Sequence, residues 1–255
     1  MKRYASTDVM SIPYDYRVVT DRRAGRFTVI TKLGRRPSVN IKTADMAQQY
    51  ILVQDWAPAE AVRRKLGSIN CGDCPLAGVE CYVNTVTLTK LYHAAKDLPV
   101  VPCPRYVKPL RLGAYGDPAF VPMWSVVQSL NAGPGYWTGY THRWHKAKDG
   151  YARWLMASID HKSALREGIT TAQLRMRAKA KGYRTFRILL PGEQLEKGEA
   201  MCPYVTHGTT CADCGLCSGT EGKGKCDIAV PLHGSPPGMI TYQKSLNIQT
   251  IEEAI

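Results

Sequence analysis

Short alternating and β-branched runs open the chain. Residues 16–20 and 27–31 read as strands flanking the polar, glycine-containing stretch 21–26, the pattern of a β-hairpin. Apolar positions at helical spacing then predict a helix from Thr43 to about Gln54, although no glutamate follows Thr43 at the position that would complete a capping box. A second helix is predicted over 59–65, with Pro58 as its break or its first residue.

From about Gly67 onward strand-like and helical stretches alternate. Helices are predicted over 85–97, 119–130 and 170–181; strands over 110–115, 136–141, 154–159, 185–190 and 227–232. This order is the signature of an α/β chain with a parallel sheet, and at least five such units predict a full or partial (β/α) barrel. The expected division is an N-terminal cap of hairpin and helices over 1–66, a barrel core over 67–192, and a cysteine-rich segment with a final strand over 193–255. In folds of this kind the chemistry sits beyond the carboxyl ends of the strands.

Composition changes the picture in two ways. With 34 Lys+Arg against 21 Asp+Glu the formal charge is +13, which attracts a polyanion and makes nucleic acid the first partner to consider. The start of the chain carries Lys2, Arg3, Asp8 and Asp15 without an apolar stretch of signal-peptide length. No apolar run approaches the roughly 20 residues of a membrane span. A cytoplasmic protein with no membrane partner is therefore expected. In a reducing compartment its nine cysteines are more useful as metal ligands or redox groups than as disulfides.

Those cysteines fall into two groups. Cys71, Cys74 and Cys81 form C-x2-C-x6-C on a loop with Gly72 and Pro75. Three thiolates with an open position suit a [4Fe–4S] cluster that must bind something besides protein; Cys103 or His93 as a fourth ligand would make a zinc site instead. Cys202, Cys211, Cys214 and Cys217 form C-x8-C-x2-C-x2-C, with Cys226 nearby. That run is similar to the ligand run of a second cubane cluster. A zinc ribbon drawing four ligands from these cysteines, His207 and His233 is the competing reading.

The order of these motifs resembles the radical S-adenosylmethionine superfamily. In that family a three-cysteine loop follows the first barrel strand, and a Gly-Gly-Glu-Pro-like motif ends the second. Gly116-Asp117-Pro118 resembles that motif with Asp for Glu, and Ser158 and Asp160 resemble the Ser-x-Asp end of the fourth strand. The likeness spans about residues 67–190. It implies two [4Fe–4S] clusters, S-adenosylmethionine as cofactor, and an electron donor. Gly116, Asp117, Pro118, Ser158, Asp160 and Arg187 would be the residues against the cofactor. The family's common spacing is C-x3-C-x2-C with an aromatic before the last cysteine; here the spacing differs and Tyr82 follows Cys81.

Arg22, Arg23, Arg26, Lys32, Arg35 and Arg36 cluster about the hairpin. Arg175, Arg177, Lys179, Lys181 and Arg184 cluster on and after the basic helix, and Trp144 stands in an aromatic and cationic run. These are the candidate nucleic-acid contacts, with DNA placed before RNA. Size and charge are similar to small radical S-adenosylmethionine proteins of bacteriophage thymidine hypermodification, which implies isomerisation of a glycyl-thymidine in DNA within the host cytoplasm. Two rivals stand beside this: a zinc-stabilised, non-catalytic nucleic-acid binder, and an iron–sulfur base-modifying barrel that uses no S-adenosylmethionine.

Overall fold

The computed structural model describes residues 17–23, 26–33, 41–77, 81, 83–233 and 236–246. Tyr16, Arg35, Arg36 and Tyr82 lie outside the described residues. The chain is α/β, as its alternation predicts. Strands β1 (Arg17–Arg23), β2 (Phe27–Lys32), β3 (Ala47–Val53), β4 (Leu110–Tyr115) and β5 (Trp137–Thr138) make one five-stranded sheet in that order. A second has the order β6 (Tyr140–Thr141), β7 (Met156–Ile159), β8 (Thr185–Leu189), β10 (Asp227–Pro231) and β9 (Glu199–Met201). The β1–β2–β3 ladder is antiparallel and the others are parallel.

Only Gly139 separates β5 from β6. A side chain there would meet Leu155 Cδ2 at 2.8 Å, and the Gly139 N–H leaves the ladder to donate to the Cys217 carbonyl at 2.9 Å. The predicted strand over 136–141 is thus broken at its glycine. Among the described residues the strands do not close into a barrel.

The helix predicted from Thr43 is absent. A single 3-10 turn, Ile41–Thr43, leads instead into β3. Met46, Ala47, Gln48 and Gln49 favour helix, but Ile51, Leu52 and Val53 are buried at the end of a strand that pairs with β2 along its length and with β4 over its first half, and that burial decides. The boundary at 66/67 therefore falls between β3 and β4, neighbours in one sheet. The helix predicted over 119–130 is a 3-10 turn, Pro118–Phe120, and then α3 (Met123–Ala132), divided at Val121 and Pro122.

The remaining helices are α1 (Pro58–Arg63), α2 (Thr85–Ala95), α4 (His161–Arg166), α5 (Thr171–Ala180), α6 (Pro203–His207), α7 (Cys211–Cys214) and α8 (Pro236–Ser245). One face of the sheets buries Leu110, Leu112, Ala157 and Ile159 against Val126 and Leu130 of α3 and Leu174 and Ala178 of α5. The opposite face carries both cysteine groups. Tyr115, Leu52, Cys71 and Cys81 pack together near α2, and Met156, Ile228, Tyr140, Phe186, Cys202 and Cys217 pack together farther along.

An ion network fastens α5 to β8, β9 and β10, and it claims two arginines given other roles above. Arg175 is buried. It donates to Asp227 at 2.7 Å and Glu196 at 2.9 Å, so it is not a phosphate contact. Arg187 is buried on the helix-covered face and paired with Glu199 at 2.6 Å; strand alternation turns it away from the face of Phe186 and Ser158, so it does not face a cofactor there.

Burial pushes the Asp227 carboxyl up. Lys179, the Thr185 N–H and Arg175 outweigh it and hold the group below the usual carboxylate range. A depressed folded-state pKa contributes stability above the unfolded value of about 3.9, and that contribution is lost as pH falls through the folded value. Asp227→Asn should cost about 3 kcal/mol at neutral pH, the scale for breaking a buried ion pair, and the difference should shrink below about pH 4. Urea unfolding followed by circular dichroism from pH 3 to 7 measures it; a pH-independent difference would refute the assignment.

Candidate metal centres

The first cysteine loop is tied to the strand ends by backbone contacts. Asn70 Nδ2 donates to the Ile51 carbonyl at 2.8 Å, and the Asp117 N–H donates to the Asn70 carbonyl at 2.6 Å. Gly116 has φ of 80°, and a Cβ there would lie 2.4 Å from the Ile51 carbonyl oxygen, so only glycine lets the end of β4 approach β3 this closely. The Gly116 N–H also hydrogen-bonds the Cys71 sulfur. Gly72, at φ of 57°, is covered by Phe120, over whose ring the Arg143 guanidinium sits at 3.8 Å. Gly116-Asp117-Pro118 and the first cysteine group therefore form one site.

Burial pushes the Cys71 thiol up, and the neighbouring Cys74 and Cys81 push it further. Burial likewise raises Cys81, against the pull of the Val83 N–H and the Arg111 charge. The buried Tyr115 phenol, hydrogen-bonded to Asn70, lies within electrostatic reach of all three thiols.

Asp117 is buried, which raises its pKa, and its oxygens accept from the Ala119 N–H at 2.9 Å and the His142 N–H at 2.8 Å. Pro118 starts the 3-10 turn that Asp117 caps. Asp160 is fully buried and caps α4, accepting from the Ser163 N–H and hydroxyl at 2.8 Å each. Ser158 is buried near the end of β7, on the cysteine-bearing face, with Phe186 as its ladder partner. Asp117 and Asp160 thus hold loops at the strand ends.

Sequence reasoning missed His142. Its imidazole hydrogen-bonds Cys74, and Nδ1 stands 3.6 Å from Asp160 Oδ2, a charge contact rather than a hydrogen bond. Burial opposes its charged form, but Cys74 and Asp160 hold its pKa well above the usual histidine value. Only its place after a strand end hinted at this; the approach to Cys74 is tertiary. The fourth ligands considered above stand elsewhere. Cys103 lies in the core beside Ser129, its thiol pushed up to about 12 by burial, and His93 stacks edgewise on Tyr92.

In the second group Cys202 follows β9, and its N–H donates to the Ala229 carbonyl at 2.9 Å. Thr210 caps α7 and Gly215, at φ of 63°, ends it, so Cys211 and Cys214 sit one turn apart. Buried Arg184 collects the carbonyls of Leu216 at 3.0 Å, Ser218 at 2.6 Å and Cys226. Burial raises Cys217. The Tyr140 hydroxyl donates to its sulfur and lowers it, while Cys211, Cys202 and Cys214 raise it. Arg184 is the charged group on which Cys226 bears. His207 bonds Thr206, and His233 bonds the Pro231 carbonyl.

In both groups the thiols are neighbours without converging. Among the described residues no three Cys, His, Asp or Glu side chains meet closely enough to grip an ion as they stand. The donor sets fit thiolate-liking metals in kind.

The candidate nucleic-acid residues separate. Trp144 is buried, its Nε1 donating to the Ser158 carbonyl at 3.3 Å, so it cannot stack on a base. Arg177 is exposed and paired with Glu167 at 2.8 Å. Arg22 donates to the Ala95 carbonyl at 3.1 Å. Arg23 and Arg26 are exposed at the hairpin tip, and the Arg23 guanidinium lies over Phe27 and Trp124 at 5.6 and 5.9 Å. Because Phe27 pairs with Val53, this tip sits at the same end of the sheet as the first cysteine loop. Trp124, 53% exposed, is an aromatic that sequence reasoning passed over.

On the reading of the second group as a metal site, Cys226→Ser should keep wild-type metal content, whereas Cys202→Ser should lose the metal there; elemental analysis checks this, and equal losses would put Cys226 in the set. Gly116→Ala should cost about 1–3 kcal/mol in urea unfolding, because a side chain must adopt the left-handed region against Ile51. No helix among the described residues is long and apolar enough to cross a membrane. No protein-family model, curated protein or solved structure matches this chain.

Proposed function

We propose that the chain is a radical S-adenosylmethionine iron–sulfur enzyme acting on a nucleic acid base. The observation that carries this reading is the docking of the Gly116-Asp117-Pro118 strand end directly onto Cys71, in a run of parallel strands whose carboxyl ends face one rim. Cys71, Cys74 and Cys81 would hold one [4Fe–4S] cluster, and Cys202, Cys211, Cys214 and Cys217 a second. A cluster on the first group supplies, with S-adenosylmethionine and an electron donor, the reductive cleavage that yields a deoxyadenosyl radical. Gly116 contributes close backbone approach there, Ser158 a polar surface, and Asp117 and Asp160 fix the surrounding loops. Buried Tyr115 and Leu52, with half-buried Val83, cover the thiols from water.

The substrate is read as a base in DNA before RNA, in its narrowest form the isomerisation of a glycyl-thymidine, in the cytoplasm. The net charge of +13 and the rim position of Arg23, Arg26 and Trp124 support the nucleic-acid part. A second reading has its own observation: His142 beside Cys74 would complete a Cys3His zinc site, giving a metal-stabilised nucleic-acid binder.

Anaerobic purification with iron, sulfide and zinc analysis, followed by dithionite and S-adenosylmethionine, separates them. About eight irons and 5′-deoxyadenosine are expected; zinc alone without cleavage would leave the zinc reading, and clusters without cleavage would leave iron–sulfur chemistry of another kind. For the partner, Arg23→Gln with Arg26→Gln should reduce the salt dependence of DNA binding by a slope of about 2, whereas Trp124→Ala should weaken binding with the slope unchanged. Salt-insensitive or absent DNA binding would overturn the nucleic-acid part.

A further inference from the structure

A cavity of about 330 Å³ lies beside the hairpin, on the cysteine-bearing face of the first sheet. Its floor is Thr28 and Ile30 of β2 with Tyr92 and Ala95 of α2, all buried. Ile30, Tyr92 and Ala95 belong to the apolar cluster against which Cys71 and Cys81 pack, so the cavity and the first cysteine group border one cluster. The remaining walls are polar: Arg22 from β1, Gln54 and Asp55 just after β3, and Lys96 and Asp97 just after α2. Ligand pockets run from about 300 Å³ upward, so this one suits a small molecule.

The contacts that shape the cavity leave its charges open. Arg22, the ladder partner of Thr28, donates from Nη2 to the Ala95 carbonyl at 3.1 Å. The Tyr92 hydroxyl donates to the Gln54 carbonyl at 2.7 Å and ties α2 to the end of β3. Arg22 and Asp55 both act on that hydroxyl, with opposite signs, so one charge of each kind stands near the floor. Among the described residues, none of Arg22, Asp55, Lys96 and Asp97 is closed by an ion pair. Gln54, in the same wall, keeps a buried Oε1 without a donor among the described residues.

We propose that this cavity binds a small zwitterion of the α-amino-acid class, with its carboxylate on Arg22 and its ammonium on Asp55. The balance of charge decides the class. A phosphate would gain Arg22 and Lys96 but stand against Asp55 and Asp97, and a simple amine would meet the converse. An uncharged molecule would take water from four ions and pair with none of them. A ligand carrying both signs satisfies the set through charge-assisted hydrogen bonds. The chain as a whole has a formal charge of +13, yet this cavity carries two cations and two anions, which sets it apart from a surface for polyanions. The inference needs no metal at either cysteine group and does not depend on the radical reading.

Calorimetric titration of the purified chain with the proteinogenic α-amino acids tests it. Each is compared with its N-acetyl derivative, which keeps only the carboxylate, and its amide, which keeps only the ammonium. At least one free amino acid should bind, one per chain, about tenfold or more tighter than either derivative. Arg22→Gln should weaken the free acid and the N-acetyl derivative by about tenfold and leave the amide as before. Asp55→Asn should weaken the free acid and the amide and leave the N-acetyl derivative as before. A role in packing alone would move all three ligands together. Asp55 is exposed, so its variant keeps the test open should Arg22→Gln fail to fold, and circular dichroism reports on both. No saturable binding of any free amino acid, derivatives that bind as tightly as their parent, or a preference for inorganic phosphate would overturn the proposal.

Discussion

The arrangement at the first cysteine group depends on one close backbone approach, where the Ile51 carbonyl meets Asn70 and Gly116. The carbonyl accepts from the Asn70 side chain, and the space where a Cβ of residue 116 would stand is already taken by it. From that meeting the rest of the rim follows. Asn70 fixes the start of the cysteine loop and accepts from the Asp117 N–H. Asp117 then reaches one oxygen to Ala119 and the other to the backbone of His142, so the loop after β6 is placed by a residue at the end of β4. His142 in turn meets Cys74 and Asp160. The carboxyl ends of β3, β4, β6 and β7 are linked by polar contacts, and each contact constrains the next.

The second group is held by different means. Its loop has little regular structure, so its carbonyls need donors from outside, and Arg184 and the Gly139 N–H provide them. Gly139 has two duties at once: it breaks the strand, and the freed N–H binds the Cys217 carbonyl. The break between the sheets and the anchoring of the second group are therefore one feature.

Much of this was legible in the sequence because it rests on local chemistry. Both cysteine spacings, the Gly-Asp-Pro strand end, the hairpin, and the elements over 85–97, 110–115 and 185–190 follow from spacing, alternation and turn residues. What escaped was decided by burial. The stretch over 43–54 has helical composition, yet Ile51 and Leu52 are fully buried in a strand that lies between β2 and β4, and no period marks such a strand. Arg175 and Arg187 carry charge that suggests a surface, but each sits where Asp227 or Glu199 neutralises it inside. Trp144 and Trp124 look alike in sequence; one is core and the other solvent-facing. His142 becomes notable only when the third parallel strand ends beside the loop following the first.

The state of the thiols narrows what the two groups can do. A Cys-x2-Cys pair in a reducing compartment can serve as a redox dithiol, but that chemistry needs an accessible thiol whose pKa has been lowered. Here burial moves Cys71, Cys81, Cys211 and Cys217 the other way, and the crowding of like neighbours adds to it at all four. Such thiols are poor nucleophiles. Proton loss becomes favourable only if a cation enters among the sulfurs, since one multivalent ion or cluster offsets several thiolates at once. On the proposed reading, the feature that makes these cysteines unsuited to disulfide exchange is the one that suits them to metal.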